Sequence, residues 1–327
     1  MSETRVGEMQ TGMSLKQLVI ANAALILNTT TWGTFFPVLE LQLRHWDMFS
    51  ASAGRQVTGT IALLSMVACI ERRWPIRRGL PWGNIILLST VGITVCCLLT
   101  TLAVFLSSGL SAAIISATNP IGSALLAQAL YGVKLRRAII VGAVLSVAGG
   151  MLAVTAGQHG RVTFGLGELA LVTANLIWTW FSLAIQHRLR GYTYLERSAY
   201  TILPGAVQLT LIVVALHYLG LAQIRMELTF WPLLYVFYLG FVPNGLGNFL
   251  WLWAISRVGV NVASMYQNLI PVTAVLVTIW IGIYPSWQQL IGGAIILLGV
   301  LYTQITERRR SNATVVKATV VKPGVSP

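Results

Sequence analysis

Residues Ala112–Pro120 read AAIISATNP, and Ala263–Pro271 read ASMYQNLIP. Each stretch carries an amide side chain just ahead of a proline inside an apolar run. Two further pairs align in the same order. Asn28–Gly33 (NTTTWG) matches Ala174–Thr179 (ANLIWT), with Trp32 over Trp178; IIVGAVLSVAGG from Ile139 matches LIGGAIILLGVL from Leu290, with Gly142 over Gly293. Any one pair could be the chance likeness of two apolar helices. Several in one order, at offsets of 146–151 residues, mark an internal repeat.

The composition says what surrounds the repeat. Of 327 residues 56% are apolar and 9% charged, against roughly 25% charged in soluble domains. A water-soluble fold of this size could not hide that apolar surface, so lipid is the expected solvent. A span needs about twenty apolar residues. That ruler predicts an all-α membrane protein with ten transmembrane helices, at 18–40, 48–70, 84–106, 110–131, 138–157, 166–186, 197–219, 230–255, 261–282 and 287–306. Pro120, Pro204, Pro243 and Pro271 fall inside spans and predict kinks.

The net charge of +13 suggests nucleic acid until its distribution is read. Lys and Arg cluster between apolar runs. With the amino terminus inside, eighteen of the 22 lie on the cytoplasmic side and only Arg44, Arg161 and Arg225 opposite; Arg55 sits within the second span. The positive-inside rule then predicts both termini cytoplasmic in the cell (inner) membrane, and no nucleic-acid partner. The expected organisation is a cytoplasmic tail (1–17), a first five-helix repeat (18–157), a second (166–306) and a disordered cytoplasmic tail (307–327). Five spans per half is an odd number, so the two repeats are inverted, an arrangement that secondary transporters use for alternating access.

These residues resemble the drug/metabolite transporter superfamily, specifically EamA-type ten-helix carriers. The first span ends in Trp32-Gly33-Thr34-Phe35-Phe36, similar to the family's W-G-x-x-F. The second carries Ala53-Gly54-Arg55, similar to A-x-R. The eighth reads GLGNFLWLWAISRVG from Gly245 to Gly259. The family's Gly-Glu pairs after the fourth and ninth spans are missing: Gly132-Val133-Lys134 and Gly282-Ile283-Tyr284 stand there, and Glu40 replaces the usual Lys near the end of the first span. The resemblance implies export of a metabolite, amino acid-like compound or drug.

Candidate pathway residues follow from what is costly in lipid. A charge in a span faces a cavity or a partner, so Arg55 is expected either to bind an anionic group or gate the pathway, or to pair with Glu40 or Asp47 near its end. Asn28, Thr31, Asn119, Asn175, Asn248 and Asn268 form an expected polar cavity lining, with Trp32, Trp178 and Tyr266 as aromatic walls; interhelical hydrogen bonding is the plainer reading of each. Asn244, Gln267 and Trp251 belong to the same sets. Glu40 and Glu168 are the acids nearest membrane depth, and so the candidates for coupling or gating. Cys69, Cys96 and Cys97 read as packing residues without metal-ligand spacing. The small faces around Gly142, Ser146 and Gly149, and around Gly292, Gly293 and Gly299, suit packing between halves, and leave a homodimer open. No cofactor and no metal site is implied. The four histidines lie at span ends or loops and never as HExxH, which disfavours an embedded enzyme. No charge ring or carbonyl-rich filter favours a channel. The expected partners are a small-molecule substrate and the lipid bilayer.

Overall fold

The computed structural model describes residues 15–72, 76, 79–131, 137–155, 165–258, 263 and 266–320. Among these the chain is helical throughout and has no strand, apart from a single bridge between Trp46 and Met226. The helices are α1 (Leu15–Leu43), α2 (Met48–Glu71), α3 (Trp82–Leu106), α4 (Gly109–Ser116), α5 (Asn119–Tyr131), α6 (Arg137–Thr155), α7 (Leu166–Arg188), α8 (Tyr194–Tyr218), α9 (Phe230–Val258), α10 (Leu269–Trp280) and α11 (Trp287–Val320). Five of them, α2, α3, α7, α8 and α9, are each long and apolar enough to cross a membrane.

Their faces are arranged opposite to those of a water-soluble bundle. On α2, Val57 and Ile61 are exposed while Arg55, Gln56, Thr58 and Thr60 are buried; on α8, Val207, Leu211 and Val214 face out and Thr201 faces in. Exposed apolar faces on this scale fit a hydrocarbon solvent.

The expected fourth span is two helices rather than one. It breaks at Ala117–Thr118, between α4 and α5. A matching turn at Gln267–Asn268 precedes α10. Pro120 and Pro271 fall in the first turn of the helix after each break, where a missing N–H costs least. The repeated motif therefore encodes an interruption, where the sequence suggested only a kink.

A second irregularity was signalled only in part, by Pro243. Both α3 and α9 contain an eight-residue π-helical stretch, Leu88–Val95 and Gly240–Gly247. Such stretches are rare and cluster at functional sites. In α9 the stretch contains Pro243. In α3 no proline is present, and α8 braces the stretch instead: Gln208 Nε2 donates to Thr90 Oγ1 at 2.9 Å, and Thr94 Oγ1 donates to Gln208 Oε1 at 2.6 Å. On the other side Thr58 Oγ1 of α2 donates to the Val236 carbonyl of α9 at 3.1 Å.

The helix pairings recur with the halves exchanged. Helix α1 packs on α10 and α9, as α7 packs on α4, α5 and α3; α2 meets the π stretch of α9, as α8 meets that of α3. Two pairs, α2–α8 and α6–α11, are their own counterparts. In the second pair Gly142 lies against Gly299 and Thr303, and Gly149 against Gly292 and Ile296, so the helices run antiparallel. The small faces are thus used between the halves of one chain. Helix α11 continues to Val320, into the stretch expected as a disordered tail; residues 321–327 of that tail lie outside the described residues. Residues 307–320 hold no Gly or Pro, and Glu, Arg, Ala and Lys there are good helix formers.

Two apolar clusters, each drawing on both halves, place the site. One gathers Phe35, Leu39, Trp46, Val236, Leu239 and Ile270; the other gathers Leu25, Leu63, Leu88, Phe181, Trp251 and Ile255. The middle of α1, from Asn28 to Trp32, lies between them.

Candidate substrate site

Between the clusters lies a cavity of about 70 Å³ lined by both halves. From the first half come Asn28, Trp32, Phe36, Arg55, Gln56, Gly92, Ile93, Cys96, Cys97, Thr100, Ser116 and Asn119. From the second come Leu171, Ala174, Asn175, Trp178, Ile202, Asn244, Asn248, Trp251, Gln267 and Ile270. The helix irregularities converge here. Gly92 and Ile93 lie in one π stretch and Asn244 in the other; Ser116, Asn119 and Gln267 flank the two breaks. The breaks are tied together, because Asn119 Nδ2 donates to Gln267 Oε1 at 2.9 Å, and Thr179 Oγ1 donates to Asn119 Oδ1 at 3.2 Å.

Aromatic rings form one wall. Trp32 and Trp178, which occupy matching places in the repeat, meet with centroids 5.5 Å apart, and Trp178 lies 6.5 Å from Trp251. The Trp251 indole N–H donates to Ser182 Oγ at 3.0 Å, so its polar edge is satisfied and its ring is free to pack.

Arg55 is the charged residue of the lining. Its side chain is buried, with 2% of its surface exposed. One Nη donates to the Cys97 carbonyl at 3.0 Å and to Thr101 Oγ1 at 2.8 Å, and contacts Cys97 Sγ at 3.0 Å; the guanidinium carbon lies 4.9 Å from the centre of the Phe35 ring. The expected carboxylate partners are used elsewhere. Glu40 pairs with Arg44 at 3.6 Å and accepts from the Gly109 N–H at 2.8 Å, at the start of α4. Asp47 caps α2 through Phe49 and Ser50, and accepts from the Arg225 N–H. Among the described residues the ion pairs are Glu40–Arg44 and His45–Glu227, so Arg55 has neutral partners.

Of the candidate residues, Asn28, Trp32, Arg55, Asn119, Asn175, Trp178 and Asn248 line the cavity together. Three others sit apart from it. Thr31 Oγ1 donates to the Asn28 carbonyl, Tyr266 OH donates to Asn22 Oδ1, and Asn268 is buried beside the second break. Glu168 is buried too, but its carboxylate accepts the Gly165 N–H at 2.9 Å and caps its own helix. Neither acid reaches the cavity lining. Gln56, Thr100 and Ser116 were missed, and Cys96 and Cys97 were read as packing; Gln56 alone gave a signal, as a polar neighbour of Arg55 within a span.

Matched loop contacts join the halves at the two ends of the described bundle. At one end Asp47 N–H donates to the Arg225 carbonyl at 2.9 Å, Trp46 Nε1 donates to the Glu227 carbonyl at 2.9 Å, and His45 Nδ1 lies 2.7 Å from Glu227 Oε2. At the other, Thr193, which caps α8 as Asp47 caps α2, donates to Glu71, and Arg188 donates to Asn84 Oδ1 at 2.9 Å.

A polytopic helical bundle of two repeats, with a polar cavity where the halves meet, is the build of a membrane transporter of small solutes. The chain belongs to the EamA-like transporter family, whose model matches residues 19–155 and again 165–304. It is 29% identical over 295 residues, covering 89% of this chain and 96% of the relative, to the probable terminal-alkyne amino-acid exporter of Streptantibioticus cattleyicolor. It is 23% identical over 291 residues (88% and 91%) to the uncharacterized transporter YdfC of Bacillus subtilis. A protein of known crystal structure shares the fold with a TM-score of 0.65, at 21% identity over 88% of this chain and 98% of that one. The names of these relatives point to transport and not to enzymatic activity.

Proposed function

We propose that the chain crosses the cell (inner) membrane ten times as two inverted five-helix repeats, both termini cytoplasmic, and exports a small amino acid-like solute by alternating access. The observation that carries this reading is the cavity itself. It is lined by both repeats, and both pairs of helix irregularities meet on it. Loop contacts of matching origin at the two ends give two gates that can open in turn. A volume of about 70 Å³ has room for only a few waters, which fits a contracted state that widens as the halves move. The amino acid-like substrate and outward direction rest on the Streptantibioticus relative's name.

Counterflow in proteoliposomes separates a carrier from a channel. Labelled solute is placed outside vesicles preloaded with an excess of the same unlabelled solute. A carrier gives transient, saturable accumulation of label; linear flux without counterflow would mean a channel. Because Glu40 and Glu168 lie off the cavity lining, imposing a pH gradient is expected to leave the counterflow rate unchanged. A rate that rises with the gradient would return one of these acids to a coupling role.

A further inference from the structure

Arg55 has the setting of a receptor for a carboxylate head group. The described lining of the cavity holds no Asp, Glu, Lys or His beside it, so the site carries an uncompensated positive charge. The elements packed against Arg55 present only neutral groups to it: Cys97 and Thr101 from α3, Phe35 from α1 and Asn244 from α9. A buried cation without a counter-charge is unfavourable, and its penalty is relieved by an anion that enters the site.

Residues of the lining also carry buried hydrogen-bonding atoms without partners, which native structures seldom leave. Arg55 Nε and Asn175 Nδ2 are buried donors without partners; Gln56 Oε1 and Asn248 Oδ1 are buried acceptors without partners. All four belong to residues of the lining. An Arg whose Nη is anchored while its Nε is free is oriented in advance for a carboxylate, which takes guanidinium donors in its plane. The two amide oxygens suit N–H donors on the same solute.

We infer that Arg55 is the head-group selector: it takes the solute's carboxylate, while Gln56 and Asn248 accept from its N–H groups and the Trp32–Trp178 wall covers its apolar part. This rests on the carrier reading above, and deepens it to a rule. Solutes must keep a free carboxylate.

The test is a matched series read by quenching of tryptophan fluorescence in purified protein. The acids are glycine, norleucine, phenylalanine and hexanoate; each is compared with its carboxamide, which has nearly the same shape and no negative charge. Saturable binding by at least one acid is expected, with its amide weaker by about thirtyfold or more. Arg55→Gln is expected to erase the acid–amide difference, and Arg55→Lys to restore part of it, without the in-plane geometry. Amides that bind as well as their acids in the wild-type protein would overturn the inference without any variant having to fold. So would discrimination that survives Arg55→Gln, or the absence of binding by every acid. Counterflow with the same compounds separates the two readings. Flux of amides but not acids keeps the carrier and removes the selector. Acid-selective binding without any flux does the reverse.

Discussion

At the scale of single residues the molecule turns on which charges have partners. Arg55 was legible in the sequence because a charge inside a span is rare and costs from about 3 kcal/mol upward at mid-membrane. Its company was not legible, since Cys97 and Thr101 lie some forty positions away on another helix. The acids illustrate the converse. Glu40 and Glu168 looked available at span ends, yet each accepts from a backbone N–H at a helix start: Glu168 at its own, and Glu40 at that of α4, 69 residues away. Glu227 gives a prediction at the same scale. It lies in the loop before α9, and the hydrogen bond from His45, then that from Thr229, hold its carboxyl below the ordinary glutamate range. A lowered carboxyl pKa adds stability that is complete above the ordinary range and is lost as pH falls through the lowered value. Glu227→Gln is therefore expected to lower the thermal midpoint slightly at neutral pH, and the gap to the wild-type protein is expected to close in acid. Midpoints recorded from neutral to acid pH check it; a gap that widens in acid would count against a stabilising His45–Glu227 contact.

At the scale of elements, spans were easier to read than their interruptions. Apolar length is summed over twenty residues and survives local noise, so α2, α3, α7, α8 and α9 stand out. A π stretch changes only which hydrogen bonds close. LSTVGITV in α3 differs in no obvious way from an ordinary apolar turn; the brace from Gln208 comes from more than a hundred residues downstream. The broken helices were half legible: proline announced a disturbance, while its form depended on the facing break and the Asn119–Gln267 bond. The glycine faces were read correctly as packing surfaces, and the structure shows their partner to be each other. Replacing Gly142 by Leu would drive a side chain into Thr303 and the Gly299 carbonyl. Overpacking of this kind costs about 1–3 kcal/mol. The thermal midpoint in detergent is expected to fall, and Gly83→Leu, where an added Cβ meets open space, serves as the control. Equal stability of the two variants would mean that α6 and α11 do not pack as described.

At the scale of the whole molecule, the repeat read from NTTTWG and ANLIWT is now visible in the pairings. Trp32 and Trp178 touch across the interface of the halves, and the main helix pairings return with the halves exchanged. An internal repeat is legible because two copies of one helix plan keep similar side chains at matching depths. What the repeat could not disclose is its asymmetry. Arg55 projects from α2, and the corresponding stretch of α8 carries Pro204, so a near-symmetric scaffold holds a one-sided charge. That asymmetry gives the almost two-fold cavity one charged side.

The interleaving of the halves also bears on how the chain is made. Helices α1 to α6 leave the ribosome first, yet α1, α2 and α3 find large parts of their packing surface on α7, α8, α9 and α10. On the ten-span reading proposed above, the early helices enter lipid and wait there, Arg55 included, until the later ones are synthesised. Assembly is therefore expected to follow insertion, and a covalent link between the halves is expected to be dispensable for the final contacts. If the gene is cut between the codons for residues 156 and 165 and both pieces are expressed together, they are expected to co-purify and to regain counterflow. Either piece alone is expected to be cleared by membrane proteases, a difference in abundance that a pulse-chase would record. Pieces that each accumulate, and never associate, would show that the halves mature independently.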